Sequence, residues 1–189
     1  NSITPNAEID AEVKTLVKQV TTTYASRFEV LGNAAVDITD IDIRKKEAAI
    51  GNFAADVMRA EAKADIGIST SSSFLNSLYK GPITLNALME AIPYKNSLVT
   101  VKFTGAQVKQ VLELCAKNID KRLFCQVSGI SFTIAAGKVE EIKVGGVALD
   151  EKKEYTMAAT NYQADVAGGY KDIFAAGKEK VDTKKDIHE

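Results

Sequence analysis

Hydrophobic residues of this chain follow helical spacing in four stretches. Residues 10–27 place apolar side chains three or four positions apart, which predicts an amphipathic helix with a single apolar stripe. The same spacing predicts helices over residues 47–62, 84–92 and 104–118. The stripe of the first helix consists of Val13, Leu16, Val17, Val20 and Tyr24.

Strand spacing separates these helices. Residues 97–104 alternate cleanly between apolar and polar side chains, which is typical of a strand with one buried face. Thr104 then begins a helix, and Gln107 can reach back to form a capping box. Gly145 and Gly146 lie between β-branched neighbours and predict a two-residue hairpin turn. Further strands are predicted over residues 28–39, 64–69, 123–136, 138–148 and 154–162.

The order of these elements indicates the fold class. Helices and strands are interleaved without a strict strand–helix–strand period, and hairpin signals cluster in the second half of the chain. This arrangement favours an α+β fold with a mixed or antiparallel sheet and packed helices. The 189 residues are enough for one sizeable core, and we see no linker, so one domain is the simplest expectation.

Charge and hydropathy exclude two classes of partner. The net charge is −1 and no basic stripe is visible, so we expect no nucleic-acid partner. No apolar run approaches the roughly 18 residues that a membrane helix needs, so we expect no membrane span.

The chain contains little of the chemistry that hydrolytic sites use. Its only histidine, His188, lies next to the C-terminal residue, where we expect a frayed end rather than a catalytic or metal-binding imidazole. The acidic residues show no clustered spacing typical of metal ligands. Cys115 and Cys125 fall on different predicted elements, and the sequence leaves open whether they pair.

The segment STSSSFL, residues 69–75, allows three interpretations. It follows a short apolar strand, and its serines suit a flexible linker, a phosphate-binding loop or the wall of a binding site. Residue types alone do not decide among these alternatives.

Several stretches together resemble one family. They are GNFAADVMR (51–59), ADIGIS (64–69), residues 81–113 with the motif PYKN, FCQVSGISF (124–132) and EYTMAATNYQADVAGGY (154–170). In order and spacing these stretches resemble the C-terminal domain of the 5′-nucleotidase family, which includes UDP-sugar hydrolases and 2′,3′-cyclic phosphodiesterases. The resemblance runs from about residue 8 to about residue 183.

The resemblance implies that hydrolysis and nucleoside binding belong to different domains. In this family an N-terminal metallophosphatase domain binds two metal ions and hydrolyses the substrate, while the C-terminal domain binds the nucleoside. The resemblance therefore implies that residues 1–189 form a recognition domain without catalytic residues, metal ligands or a cofactor of their own. We expect the divalent metals in a metallophosphatase domain, in the same chain or a separate one. It also implies export to the periplasm or the cell surface.

The resemblance also implies site residues. Two aromatic residues of the family sandwich the nucleobase, and Tyr94 and Tyr162 occupy those positions here. Asn96 matches an asparagine that contacts the base. Lys95 replaces a glycine of the same loop, and it either crowds the pocket or adds positive charge.

Two departures from the family pattern concern the polar end of the substrate. In STSSSFL, three serines replace glycines and Leu75 replaces an arginine. Gly168 stands where the family has an aspartate. The resemblance thus favours the third interpretation of STSSSFL, the altered wall of a nucleotide pocket.

Three functions remain open. The first is substrate recognition for a 5′-nucleotidase-type hydrolase, with this chain inactive alone. The second is a non-catalytic binding or interaction module whose pocket has changed its ligand. The third is an independent enzyme with serine or carboxylate chemistry, which lacks a positioned histidine base.

Overall fold

A computed structural model describes residues 6–188, in which helices pack against a central sheet. The six α-helices in this range are α1 (Ala7–Thr23), α2 (Ala49–Glu61), α3 (Leu85–Ala91), α4 (Gly105–Ala116), α5 (Asn161–Asp165) and α6 (Tyr170–Ala175). The ten strands in this range are β1 (Val30–Ala34), β2 (Ile66–Thr70), β3 (Gly81–Thr84), β4 (Ser97–Thr104), β5 (Cys125–Ser128), β6 (Ile130–Ala135), β7 (Lys138–Val144), β8 (Val147–Ala148), β9 (Glu154–Thr160) and β10 (Lys178–Asp186). Two 3-10 helices cover Ala25–Phe28 and Ser71–Ser73.

The central sheet has five strands in the order β10-β4-β9-β2-β5. Only the β2–β9 pair is parallel, and the other three pairs are antiparallel. The sheet is therefore mixed, and the predicted α+β class with packed helices is confirmed. A three-stranded sheet, β6-β7-β8, and the β1–β3 pair lie outside it. No described helix is long and apolar enough to cross a membrane.

In strand β4, the apolar side chains of the alternating pattern are the ones that are buried in the core. Val99, Val101 and Phe103 are buried, while the intervening polar side chains are only partly covered. Burial of such side chains contributes roughly 1.5–3 kcal/mol each. The strand ends at Thr104, which caps α4 in the predicted capping box with Gln107.

The predicted hairpin turn is confirmed. Gly145 and Gly146 both have positive φ angles, which glycine adopts without strain. They join β7 and β8, and Val144 pairs with Val147 across the turn.

Helix α1 forms where the pattern predicts it, but its apolar stripe is not buried. No residue of this helix is buried, and Val13, Leu16 and Val17 remain 49%, 53% and 55% exposed. The pattern predicts the helix correctly, because spacing alone identifies an amphipathic face. It does not reveal that this face has no partner within residues 6–188.

The predicted strand over residues 154–162 ends two residues earlier than expected, at Thr160. Asn161 and Tyr162 begin α5 instead of continuing strand β9, because the side chain of Thr160 accepts a hydrogen bond from the Gln163 amide and starts a helix. Strand β10 was not predicted. It is an edge strand with few apolar residues. Because most of its residues are lysines and acidic residues, it lacks the alternation of apolar and polar side chains that predicts a strand.

Candidate functional site

A cavity of about 270 Å³ opens at one end of the central sheet. It brings together two aromatic rings, an amide, two hydroxyl-bearing residues and one arginine. Its lining residues are Ser72, Ser73, Tyr94, Asn96, Arg122 and Tyr162. Tyr94 is 41% exposed, so part of its ring faces solvent. We call this the aromatic cavity.

Strand pairing explains why Tyr94 and Tyr162 meet. Strands β4 and β9 are antiparallel, and Leu98 near the start of β4 pairs with Thr160 at the end of β9. The residues just before β4 and just after β9 therefore lie at the same edge of the sheet. Asn161 ties the two segments together, because its side-chain oxygen accepts a hydrogen bond from the Ser97 amide at 3.1 Å.

The serine-rich segment forms another part of the wall. Strand β2 runs parallel to β9, so its end at Thr70 reaches the same edge. The Ser71–Ser73 turn follows at once. The Ser71 amide donates to the carbonyl of Phe124 at 2.7 Å, and the Ser72 amide donates to the carbonyl of Arg122 at 2.9 Å.

These hydrogen bonds decide among the three interpretations of the segment. Ser71 and Ser73 are buried, so the segment is not a flexible linker. The amides of Ser71 and Ser72 are committed to carbonyls, and the Ser71 hydroxyl also donates to the carbonyl of Arg122 at 3.0 Å. Because a phosphate-binding loop needs free backbone amides, the segment is a cavity wall.

The loop of residues 117–124 completes the cavity and carries Arg122. Tyr170, a fully buried side chain, donates its hydroxyl to the carbonyl of Leu123 at 2.9 Å. Burial raises the pKa of the Tyr170 hydroxyl, so this group stays protonated and remains a donor. A disulfide between Cys115 and Cys125 closes the loop, which answers the question that the sequence left open.

Removing this disulfide is expected to destabilise the domain. Replacing Cys115 and Cys125 together by alanine should lower the free energy of unfolding by about 2–3 kcal/mol, because the open loop gains freedom mainly in the unfolded chain. Urea unfolding followed by circular dichroism measures the change. The parent protein after reduction with dithiothreitol is the control and should move towards the same midpoint. Equal midpoints for oxidised parent and variant would contradict the expectation.

Three other residues singled out from the sequence do not line the aromatic cavity. Lys95 lines a neighbouring shallow surface with Asp182 and Asp186. Leu75 lies at a different concavity and is 52% exposed. Gly168 is exposed and lines none of the major cavities of residues 6–188.

The expectation of a frayed His188 was wrong. Its side chain is 9% exposed, and Nδ1 lies 2.7 Å from an Asp186 carboxylate oxygen. Nε2 faces the carbonyl of Ile92. The His188 amide also donates to Asp186 and lowers the pKa of that carboxyl. His188 therefore fastens the end of the described chain beside the segment that leads to Tyr94. It also lines a second, mostly apolar cavity of about 200 Å³ behind Ser73.

Within residues 6–188, no group of three or more His, Cys, Asp or Glu side chains is arranged to hold a metal ion.

Sequence reasoning missed one residue of the aromatic cavity, Arg122. Nothing in the spacing marked it, because its loop reaches the cavity only through long-range contacts with the Ser71–Ser73 turn.

Comparison with known proteins identifies the family. Residues 30–176 match the sequence profile described as the 5′-nucleotidase, C-terminal domain. A trifunctional nucleotide phosphoesterase of Bacillus subtilis is 30% identical over 176 residues, covering 81% of this chain and 12% of that protein. A 5′-nucleotidase of Vibrio vulnificus is 30% identical over 129 residues, covering 68% of this chain and 23% of that protein.

Solved structures agree with this match. The 5′-nucleotidase precursor of Thermus thermophilus superposes with a TM-score of 0.80 at 26% identity, covering 93% of this chain and 38% of the other. An NAD nucleotidase of Haemophilus influenzae shares the fold, with a TM-score of 0.76 at 22% identity and coverage of 97% and 37%. The chain spans less than a quarter of these two curated relatives and well under half of the two solved chains. The protein therefore belongs to the 5′-nucleotidase C-terminal domain family.

Proposed function

We propose that this chain is the substrate-recognition domain of a 5′-nucleotidase-type phosphoester hydrolase and that it binds a nucleoside or nucleotide in the aromatic cavity. One observation supports this proposal above all others. The two tyrosines that sequence resemblance assigns to base stacking, Tyr94 and Tyr162, line one cavity together with Asn96.

The chemistry of the cavity suits a nucleobase. Stacking of a base on an aromatic side chain contributes about 1–3 kcal/mol per base in proteins that bind single-stranded nucleic acids. Asn96 offers both a donor and an acceptor to the edge of a base. The volume of about 270 Å³ lies near the lower end of small-molecule sites, which favours a ligand with one base and its sugar. In this assignment Lys95 lies outside the stacking site and acts at most at its edge.

In this proposal, a domain other than residues 6–188 catalyses the hydrolysis. The described residues offer no metal-binding group, and relatives with nucleotidase names are several times longer than this chain. We assign hydrolysis and its divalent metals to a metallophosphatase domain, in the same polypeptide or in a separate one. This chain alone should not release phosphate from a nucleotide.

Export to the periplasm or the cell surface is part of the same proposal. The Cys115–Cys125 disulfide supports it, because structural disulfides persist mainly in oxidising compartments.

Calorimetric titration of this chain with adenosine tests the proposal. Adenosine should bind with saturable heat at one site, because the stacking surface exists without a phosphate group. Guanosine and uridine determine which base is preferred, and ribose serves as the control without a base. Absence of binding by all nucleosides at millimolar concentration would overturn the proposal.

A second candidate is a non-catalytic module whose cavity accepts another ligand. The observation that favours it is the serine wall, where internal hydrogen bonds occupy the amides of Ser71 and Ser72 at positions that the resemblance assigns to glycines. This candidate predicts that nucleosides fail in the titration and that the chain forms a complex with a separate protein.

A further inference from the structure

The described residues that line the aromatic cavity include one charged side chain and no carboxylate. Among its six lining residues, only Arg122 carries a charge. The chain as a whole has a net charge of −1 and 25 acidic residues, so this local excess of positive charge is not a general property of the surface. The neighbouring surface at Lys95 differs, because Asp182 and Asp186 lie beside that lysine.

The guanidinium of Arg122 has no ion pair and no hydrogen bond with any other residue between 6 and 188. The residue is exposed on its loop. An arginine that stabilises a fold normally uses its forked donors on a carboxylate or on carbonyl groups. Arg122 instead keeps its donors unused at the rim of the aromatic cavity.

The backbone of Arg122, in contrast, is held firmly. Its carbonyl accepts hydrogen bonds from the Ser72 amide at 2.9 Å and from the Ser71 hydroxyl at 3.0 Å. The next residue, Leu123, is tied to Tyr170, and the disulfide to Cys115 follows two residues later. A rigid backbone with a free charged side chain is typical of a ligand-binding arginine. Because the loop is already ordered in the free protein, a ligand loses little binding free energy in ordering it.

We propose that Arg122 makes the aromatic cavity selective for phosphorylated nucleosides by binding an anionic phosphate oxygen of the ligand. This inference rests on the proposed function, since it assigns the polar end of the same ligand. It also explains how the cavity can bind a phosphate although Leu75 replaces the arginine that the resemblance predicts. Leu75 lies at a different concavity, and Arg122 supplies a guanidinium from another loop.

Titrations with adenosine and AMP test the role of Arg122, since the two ligands differ only in the phosphate. The parent should bind AMP about tenfold more tightly than adenosine, as expected for one charge-assisted hydrogen bond at an exposed site. Arg122→Leu should remove this preference and leave adenosine affinity within about twofold. Arg122→Lys should retain part of the preference, because lysine keeps the charge but not the fork.

Arg27→Leu is the matched control, because it removes the same charge from an exposed arginine that lies outside the aromatic cavity. It should leave both affinities unchanged. Raising the ionic strength should weaken AMP binding to the parent but not to Arg122→Leu. Inorganic phosphate should compete weakly with AMP for the parent, which separates phosphate binding from base binding.

The outcomes separate this inference from the proposed function. If adenosine binds and Arg122→Leu leaves the AMP preference intact, the role of Arg122 is wrong and the stacking site stands. If Arg122→Leu weakens adenosine and AMP equally, Arg122 contacts the base or sugar and the phosphate assignment is wrong. If neither ligand binds the parent, the proposed function fails and this inference fails with it.

Discussion

Replacing Tyr94 and Tyr162 together by alanine is expected to abolish nucleoside binding by this chain. Both rings line the aromatic cavity. Each contact between a base and an aromatic ring contributes about 1–3 kcal/mol in proteins that bind single-stranded nucleic acids. The double variant should therefore lose about 2–6 kcal/mol of binding free energy, which corresponds to roughly 30-fold to more than 10,000-fold in affinity. Each single variant should lose about half of this free energy.

The fold should tolerate these changes. Tyr94 is 41% exposed and Tyr162 is partly buried, so neither ring fills the centre of the core. A matched control replaces Tyr24 and Tyr79, which are 48% and 70% exposed and lie outside the cavity. Calorimetric titration with adenosine compares the two double variants. Unchanged affinity in the Tyr94 and Tyr162 variant would show that the ligand binds elsewhere.

Gly67→Ala is expected to be the most damaging of the small substitutions in the sheet. A β-carbon on Gly67 would lie 2.2 Å from the backbone oxygen of Ala55 and 3.0 Å from the β-carbon of Arg59. Both contacts belong to helix α2, which crosses strand β2 at this point. Neither backbone can move without separating the helix from the sheet, so we expect a loss of about 3 kcal/mol or more in the free energy of unfolding.

The control for this prediction is Gly32→Ala in strand β1. A β-carbon there meets no atom within 4 Å, so stability should change by no more than about 0.5 kcal/mol. Urea unfolding followed by circular dichroism measures both variants, and soluble yield provides a second readout if Gly67→Ala does not fold. Equal unfolding midpoints for the two variants would show that α2 packs less closely on β2 than described.

The sequence predicts best those elements whose pattern is local. Alternation in residues 97–104 predicted β4, and Thr104 with Gln107 predicted the start of α4, because both signals act within a few residues. Strand β10 was missed because it pairs with β4 through its backbone and keeps polar side chains at an exposed edge. Sequence patterns report burial of side chains, and this strand buries few.

For the candidate site as well, the sequence shows local patterns but not long-range contacts. The family resemblance points to Tyr94, Asn96 and Tyr162, but residue spacing does not show the strand register that brings their segments to one edge of the sheet. Arg122 was missed for this reason, since the hydrogen bonds that place it join residues about 50 positions apart. The burial of His188 likewise depends on a contact with Ile92, 96 positions away.

We expect a nucleoside to bind between Tyr94 and Tyr162, and nuclear magnetic resonance can locate the bound ligand on the chain. Amide spectra of the isotope-labelled chain, recorded during titration with adenosine, report which residues sense the ligand. We predict saturable shifts concentrated at residues 71–73, 94–97 and 161–163, with little change in α1 or in the β6-β7-β8 sheet. Shifts centred elsewhere, for example on the apolar cavity beside Phe53 and His188, or no shifts at all, would contradict the claim.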